Sequence, residues 1–400
     1  MAVNDLTFNQ IATVLNSIVA QATGTASLTA TDTSSFVTCG QMALKAGYDV
    51  LSTSVSQVLS KSIFSVRPYS EKLRGMEVSN QKYGNIVRKL SVVDQPFVED
   101  DRFKIAAGQS IDPFNIIQKP KVVQENFLGA NVYEAPLVIY RDQWDQAFSG
   151  PTELSQFVSM LMQNMTDRLS QARETCKRDT LVNLIGAILG NYATNQNIKL
   201  VTLYNAYLGL TGQNVMTWAD IKGDSTHYQR FMRFAYAKIA AYADLLTERS
   251  SLYHVNVGND VVMRHTPYAD QRLYMLAQER YDMEAQVLAD AYHDNYLDLA
   301  DVETVNFWQS IKTPDTINVT PAYLVTASGA NQGTIAKGNA VNKGGIFAVL
   351  TDRDACGITA VNEWADSIWN PRAGASYWYF HATWRYWNSF TENALVFTLD

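Results

Sequence analysis

One stretch constrains this chain more than any other: Pro151 to Gly190 reads as a single helix of unusual length. Leu154, Phe157, Val158, Leu161, Met162, Met165, Leu169, Ala172, Cys176, Leu184, Ile185 and Ile188 recur at steps of three and four, laying one apolar stripe along a helical cylinder. Gln163, Asp167, Gln171, Glu174 and Arg178 fall on the other side. Pro151 suits the first helical position, where its missing N–H has no partner to lose, and Gly190 followed by Asn191 reads as a stop. At about 1.5 Å per residue the segment spans roughly 60 Å. Compact packing of a chain this size gives a radius of gyration of about 21 Å, hence a globule roughly 55 Å across. A helix longer than that implies a flattened or elongated subunit with much exposed surface, unless it breaks near Thr180 or Gly186.

Such a helix belongs to a folded protein. With 400 residues, 47% hydrophobic and 18% charged, the chain can form two or three domains with real cores. Its net charge of −7 leaves no basic footprint for gripping nucleic acid. Cys39, Cys176 and Cys356 lie far apart, without disulfide or metal spacing, which fits a reducing compartment. No apolar run approaches the roughly 18 residues that cross a bilayer. The absence of Lys and Arg before Lys45 argues against a secretory signal, so a cytoplasmic site of synthesis is expected.

Ahead of the long helix, residues 1–79 read as an arm. Ile11, Val14, Leu15, Ile18 and Val19 form one narrow stripe, and Leu51, Val55, Val58 and Leu59 another. Neither helix can bury its stripe alone, so the arm must lie on this chain or the next. From Tyr83 to Tyr140 the character changes to extended, with β-rich runs at 85–93, 121–123 and 132–140 and a charged, Gly- and Pro-punctuated stretch from Glu99 to Lys119 between them. That is a projecting two-stranded ribbon, and an isolated ribbon needs support from elsewhere.

Beyond the long helix lies a mixed α/β region. Tyr228, Phe231, Phe234, Ala235, Ile239 and Tyr242 mark a second amphipathic helix, with a strand expected at 252–257. Thr266-Pro267 reads as the start of a helix carrying Leu273 and Leu276. Ser328 to Gly345, with five glycines and three asparagines, reads as a flexible loop before a strand at 346–350. Ten aromatic side chains crowd Trp364 to Phe390, and 394–399 supplies a last strand. The order of elements places the chain in the α+β class.

Candidate chemistry is thin. None of the five histidines makes a zinc pattern, and the best metal grouping, Asp290, His293 and Asp294, sits in a stretch with eight carboxylates that reads as solvated surface. Gly338 to Gly345 faintly resembles a phosphate loop, but its spacing is wrong and no Ser or Thr follows Lys343. The aromatic cluster could stack sugars, yet tightly spaced aromatics on strands read as core packing. No catalytic, cofactor-binding or metal-ligating residue is therefore named, and no enzyme activity or cofactor is expected.

A helical arm, an extended ribbon, a long helix, a mixed α/β domain and a return to strands together resemble the major capsid protein of tailed double-stranded DNA bacteriophages, with the Hong Kong 97-type capsid fold. Locally, the run from Gly345 to Ala355, the Pro371-Arg-Ala-Gly374 turn, and the aromatic strands closing on Thr391 to Phe397 look like such proteins. The resemblance implies an N-terminal arm (1–79), an extended β-hairpin loop (80–130), a peripheral domain with a spine helix (131–199), an axial domain (200–374) and peripheral return strands (375–400). It further implies a subunit that self-assembles as hexamers and pentamers into an icosahedral head enclosing double-stranded DNA. Its partners would be copies of itself plus portal and scaffold proteins, with no sequence-specific DNA contact and no membrane. The protein would reside in the virion and be assembled in the host bacterial cytoplasm. An encapsulin-like nanocompartment shell is the alternative within the fold, and a carbohydrate-binding protein or hydrolase the alternative outside it.

Overall fold

The computed structural model describes residues 72–78, 86–94, 121–128, 130–147, 151–192, 194–257, 261–288, 302–326 and 333–400, together with 33–45 and scattered positions between 12 and 30. In chain order, helix α1 (Thr33–Lys45) precedes strands β1 (Ile86–Val92), β2 (Val122–Leu128) and β3 (Asn131–Tyr140). Helices α2 (Arg141–Ala147) and α3 (Pro151–Asn191) follow, the second being the long helix. Strand β4 (Asn197–Lys199) leads to α4 (Leu200–Tyr207), α5 (Trp218–Gly223) and α6 (Ser225–Leu245). Both later starts are capped locally. Thr217 and Asp220 form a reciprocal capping box on α5, and the Asp224 carboxylate accepts from the N–H groups of Thr226 and His227 on α6. The rest is strand-rich: β5 (Gln271–Leu276), α7 (Ala277–Leu288), β6 (Val302–Val305), β7 (Ile317–Val319), β8 (Ala322–Thr326), β9 (Gly333–Lys337), β10 (Val341–Lys343), β11 (Ile346–Asp352), β12 (Cys356–Asn370), β13 (Ala375–Asn388) and β14 (Ala394–Thr398).

The long helix is continuous through Thr180 and Gly186 and ends one residue beyond the expected stop. Its two halves live in different environments. Between residues 160 and 176 its described side chains are mostly one-sided, with Leu161, Met165 and Cys176 buried and Met160 exposed. From Leu181 to Ile188 it is apolar almost all round, and nearly every residue is buried, as a helix passing into a core must be.

That core surrounds a five-stranded sheet in the order β4-β14-β11-β5-β6, parallel at β14/β4 and β5/β6 and antiparallel between. Leu181, Leu184, Ile185 and Ile188 of α3 pack on one face with Tyr274, Val349 and Val396. On the other face Tyr204, Phe231, Met232 and Ile239 of α4 and α6 pack with Met275, Leu350 and Phe397. Strand β11 lies between both layers, so Ile346 to Leu350 is fully buried and its sequence is an unbroken apolar run.

Three local expectations are corrected. Leu273 and Leu276 sit on β5, an interior strand of this sheet, preceded only by a short 3-10 turn at Tyr268–Asp270. Their three-residue spacing mimicked a helix because both strand faces are buried, which removes the alternation that marks a strand. Residues 252–257 form no regular strand; Val255 N–H donates to Phe390 O and Ala394 N–H to Tyr253 O, an irregular seam. The stretch 328–345 contains β9 and β10 in place of a loop; β9 pairs with β8, and β10 with β7.

A second sheet, β12-β13-β3, is antiparallel throughout and lies along the outer half of α3. The boundary expected at residue 374 falls in the turn between β12 and β13, where Gly374 adopts φ +57°. The expected return strands also part company: β13 joins this sheet, whereas β14 joins the five-stranded one. The described part of the arm packs within the chain, α1 against α3, with Phe36 and Cys39 buried. The second arm stripe, 51–59, lies outside the described residues.

Gly186 and Gly190, one helical turn apart, explain how α3 approaches β7 and β10 so closely. A Cβ at Gly186 would stand 2.6 Å from Val319 Cγ1, and one at Gly190 would stand 2.4 Å from Val341 Cγ2. Gly186→Ala should therefore lower the thermal midpoint of the subunit, by about 1–3 kcal/mol of overpacking, although alanine is intrinsically the better helix former by about 1 kcal/mol. Thermal melting followed by circular dichroism checks the sign.

Candidate inter-subunit surfaces

The ribbon of β1 and β2 has two unlike faces, because side chains alternate along paired strands. Val87, Lys89, Ser91, Val123, Glu125 and Phe127 face the body of the chain; Arg88, Leu90, Val92, Val122, Gln124 and Asn126 face solvent. The body-facing side is latched by charge. Lys89 pairs with Glu392 and donates to Ser389 Oγ at 2.7 Å, while Ser389 Oγ donates to Glu125 at 2.8 Å. Arg264 donates to Ser91 Oγ at 2.6 Å and to Thr391 O at 3.0 Å, and lies 3.5 Å from Glu392. Asp94, just past β1, pairs with Arg249 and accepts from Met263 N–H at 2.6 Å. The described residues of the ribbon thus find the support an isolated ribbon needs on the body of their own chain.

Beneath the latch runs a buried polar chain. The His254 ring lies 2.7 Å from Val262 O and 3.1 Å from Asn393 Oδ1; Asn393 Nδ2 donates to Thr266 Oγ1, which donates to Asp352 Oδ2 at 2.8 Å. Burial lowers the His254 pKa and raises that of Asp352, so both are pushed toward their neutral forms.

The solvent face of the ribbon exposes Leu90 at 66% and Val92 at 64%, with Val122 beside them. The second sheet is likewise two-faced. Its inner face sets Ala382 and Trp384 against Leu169, Ala172 and Cys176 of α3, with Trp378 on Trp144 at 6.3 Å. Its outer face exposes Val132, Val138, Tyr140 and Ile368 and stacks Trp364 on His381 at 5.0 Å. The aromatic cluster is thereby divided: Trp378 and Trp384 are core, while Trp364 is surface.

Asp290, His293 and Asp294 lie outside the described residues. Among the described residues no group of three or more His, Cys, Asp or Glu side chains could hold a metal ion. Around the phosphate-loop-like stretch the backbone is already committed: Gly338 N–H donates to Pro321 O, and Gly345 N–H to the Asp315 carboxylate at 3.2 Å. An anion finds a carboxylate where it needs donors. The latch residues escaped notice because they are dispersed over some 300 positions, and a lone Lys or Glu on an alternating strand gives no sign of its partner.

The arrangement of one long helix joining two sheets, with a ribbon latched alongside, defines a class. The fold is that of phage capsid proteins of the Hong Kong 97 type: it matches a chain of the capsid structure of Staphylococcus phage Andhra with a TM-score of 0.54 and 9% identity, covering 83% of this chain and 85% of that one. It also matches a chain of the structure of head fiber and inner core protein gp22 of native bacteriophage P68, with a TM-score of 0.55 and 10% identity, covering 84% and 86%. No curated protein is similar enough in sequence to be matched to it. The model of the family described as Phi29-like phage major capsid protein matches residues 16–398, and this chain belongs to that family. It is a structural subunit of the phage head shell.

Two outcomes follow from the electrostatics. Replacing Glu392 with Gln removes the carboxylate shared by Lys89 and Arg264, leaving Lys89 with Glu125 at 3.7 Å and Ser389, and Arg264 with Ser91 and Thr391 O, in a site where the Lys89 and Glu392 side chains are 19% and 10% exposed. The variant should lose on the order of 3 kcal/mol of stability, and limited proteolysis should cut first at the ribbon. Separately, burial and the neighbouring Asp282 push Glu279, at the start of α7, up to about 7. Because this carboxyl is easier to keep protonated in the folded state, ionisation costs stability as pH rises from about 4.5 to about 7. Glu279→Gln should match the parent near pH 4 and melt higher at pH 8, by up to about 3 kcal/mol, in melts across that range.

Proposed function

We propose that copies of this chain associate as hexamers and pentamers into a closed icosahedral head around double-stranded DNA, each ribbon laying its solvent face across the long helix and second sheet of a neighbour. The observation that carries this reading is the solvent face of the ribbon, where Leu90, Val92 and Val122 stand exposed together and none of the described residues covers them, while the opposite side is held by its own body. An apolar strand pair left facing water favours covering by another surface.

In this reading residues 1–79 are the arm, 80–130 the extended loop, 131–191 with 356–388 the peripheral domain, and 194–352 with 394–398 the axial domain. The division follows the two sheets in place of a single cut at 374. Portal and scaffold proteins would act as assembly partners, and assembly would take place in the host bacterial cytoplasm. The enclosed DNA would be held without base recognition and the subunit would act without catalysis, consistent with its acidic balance. The nanocompartment and carbohydrate readings find no support in the family match.

Replacing both Leu90 and Val92 with Asp should leave the subunit folded and abolish shells. Circular dichroism would check folding, and electron microscopy of the expressed protein, with and without a scaffold protein, would check assembly. Normal shells from the double variant would overturn the proposed ribbon contact.

A further inference from the structure

Between the outer half of α3 and the inner face of the second sheet lies a cavity of about 150 Å³. Its origin is a coincidence of small side chains. Ala172 on the helix faces Ala135 on β3, Ala365 on β12 and Ala382 on β13. Four alanines where two layers meet leave the space that larger residues would fill. The walls are apolar and partly aromatic, supplied by Leu169, Met165, Phe380, Tyr133 and Trp384.

Three of the polar side chains at this cavity, Arg168, Glu363 and Tyr133, are already occupied. Arg168 donates to Pro136 O at 3.0 Å. Glu363 Oε1 accepts from Arg173 at 2.7 Å and from Trp384 Nε1 at 3.0 Å. Tyr133 Oη takes the Cys176 thiol at 3.3 Å. Among the described residues, none of the buried side-chain polar atoms lacking a partner belongs to the lining. A water needs two to four polar partners to be held in such a place, and the committed polar groups offer it few, which favours an apolar occupant against these walls. Exposed Glu134 and Arg168 mark its mouth, giving a ligand a way in.

We propose that this cavity is a binding site for a small apolar molecule about the size of one aromatic ring, and that its occupant ties the long helix to the second sheet. The site lies inside a single subunit, so it goes beyond the shell reading and stands or falls separately from it. A ligand bound only by the folded form raises the melting temperature with its concentration.

The test titrates the purified full-length chain with benzene, followed by ligand-detected NMR and thermal melting, and with bromobenzene, followed by quenching of tryptophan fluorescence. Saturable benzene binding, a midpoint that rises with benzene concentration, and bromobenzene quenching that falls in Trp384→Phe and largely disappears when Trp364, the other tryptophan of the lining, is replaced with Phe as well are expected. Ala172→Leu and Ala135→Leu, each filling the space from one wall, should weaken benzene at least tenfold. Absence of saturable binding, undiminished affinity in a folded filling variant, or quenching unchanged in Trp384→Phe would overturn the proposal. Where a filling variant fails to fold, the Trp384→Phe comparison decides. Electron microscopy of shells from the same preparations reports on the capsid reading independently.

Discussion

The subunit depends on burying residues 181–188 of one helix against a sheet that has a second helical layer behind it. A helix of 41 residues has no intrinsic reason to stay straight in water, since most helical stability comes from packing. Here the second half is clamped on nearly all sides, and the first half extends from that anchorage as a beam. Everything along the beam is referred to the buried end. The second sheet lies on it, α1 packs against it, and the fully buried Lys177 reaches from its middle to Glu77 at 2.6 Å, holding the 72–78 segment beside β12. The two glycines near its end let β7 and β10 come within backbone distance.

Two kinds of adhesion divide the molecule. The five-stranded sheet and its helices are joined by apolar burial, which is insensitive to direction and hard to undo. The ribbon is joined to the same body by directed polar contacts between Lys89, Arg264, Glu125 and Glu392. These contacts, with Phe127 against Trp387, fix its orientation and leave Leu90, Val92 and Val122 on the other side. The second sheet repeats the scheme, with one face spent on the helix and one facing outward. A shell subunit needs this division between surfaces used to fold and surfaces used to associate.

Much of this was legible in the residues. The long helix and α6 are written as periods of 3.6, the ribbon strands as β-rich runs and the final strand as an unbroken apolar run, and the order of these parts carried the family resemblance. Legibility failed where burial erased the period. Gln271 to Leu276 carries apolar residues on both faces and looked helical, and the glycine- and asparagine-rich stretch before Gly345 looked unstructured because its strands are three to five residues long. Gly186 and Gly190 were read as break and stop signals, whereas their role is steric clearance for valines more than a hundred positions away. The latch and the alanine-lined cavity were invisible for one reason: each exists only once distant segments have been brought together.

The ribbon is moored by charged groups that water can also solvate, with Val87, Val123 and Phe127 as the apolar part of the seam and Phe127 6.0 Å from Trp387. Lys89, Glu392 and Arg264 would each exchange a protein partner for hydration on separation, whereas freeing residues 181–188 of the long helix would expose an almost wholly apolar surface. The cost of parting from the centre is therefore lower for the outstretched strands than for the spine that carries them.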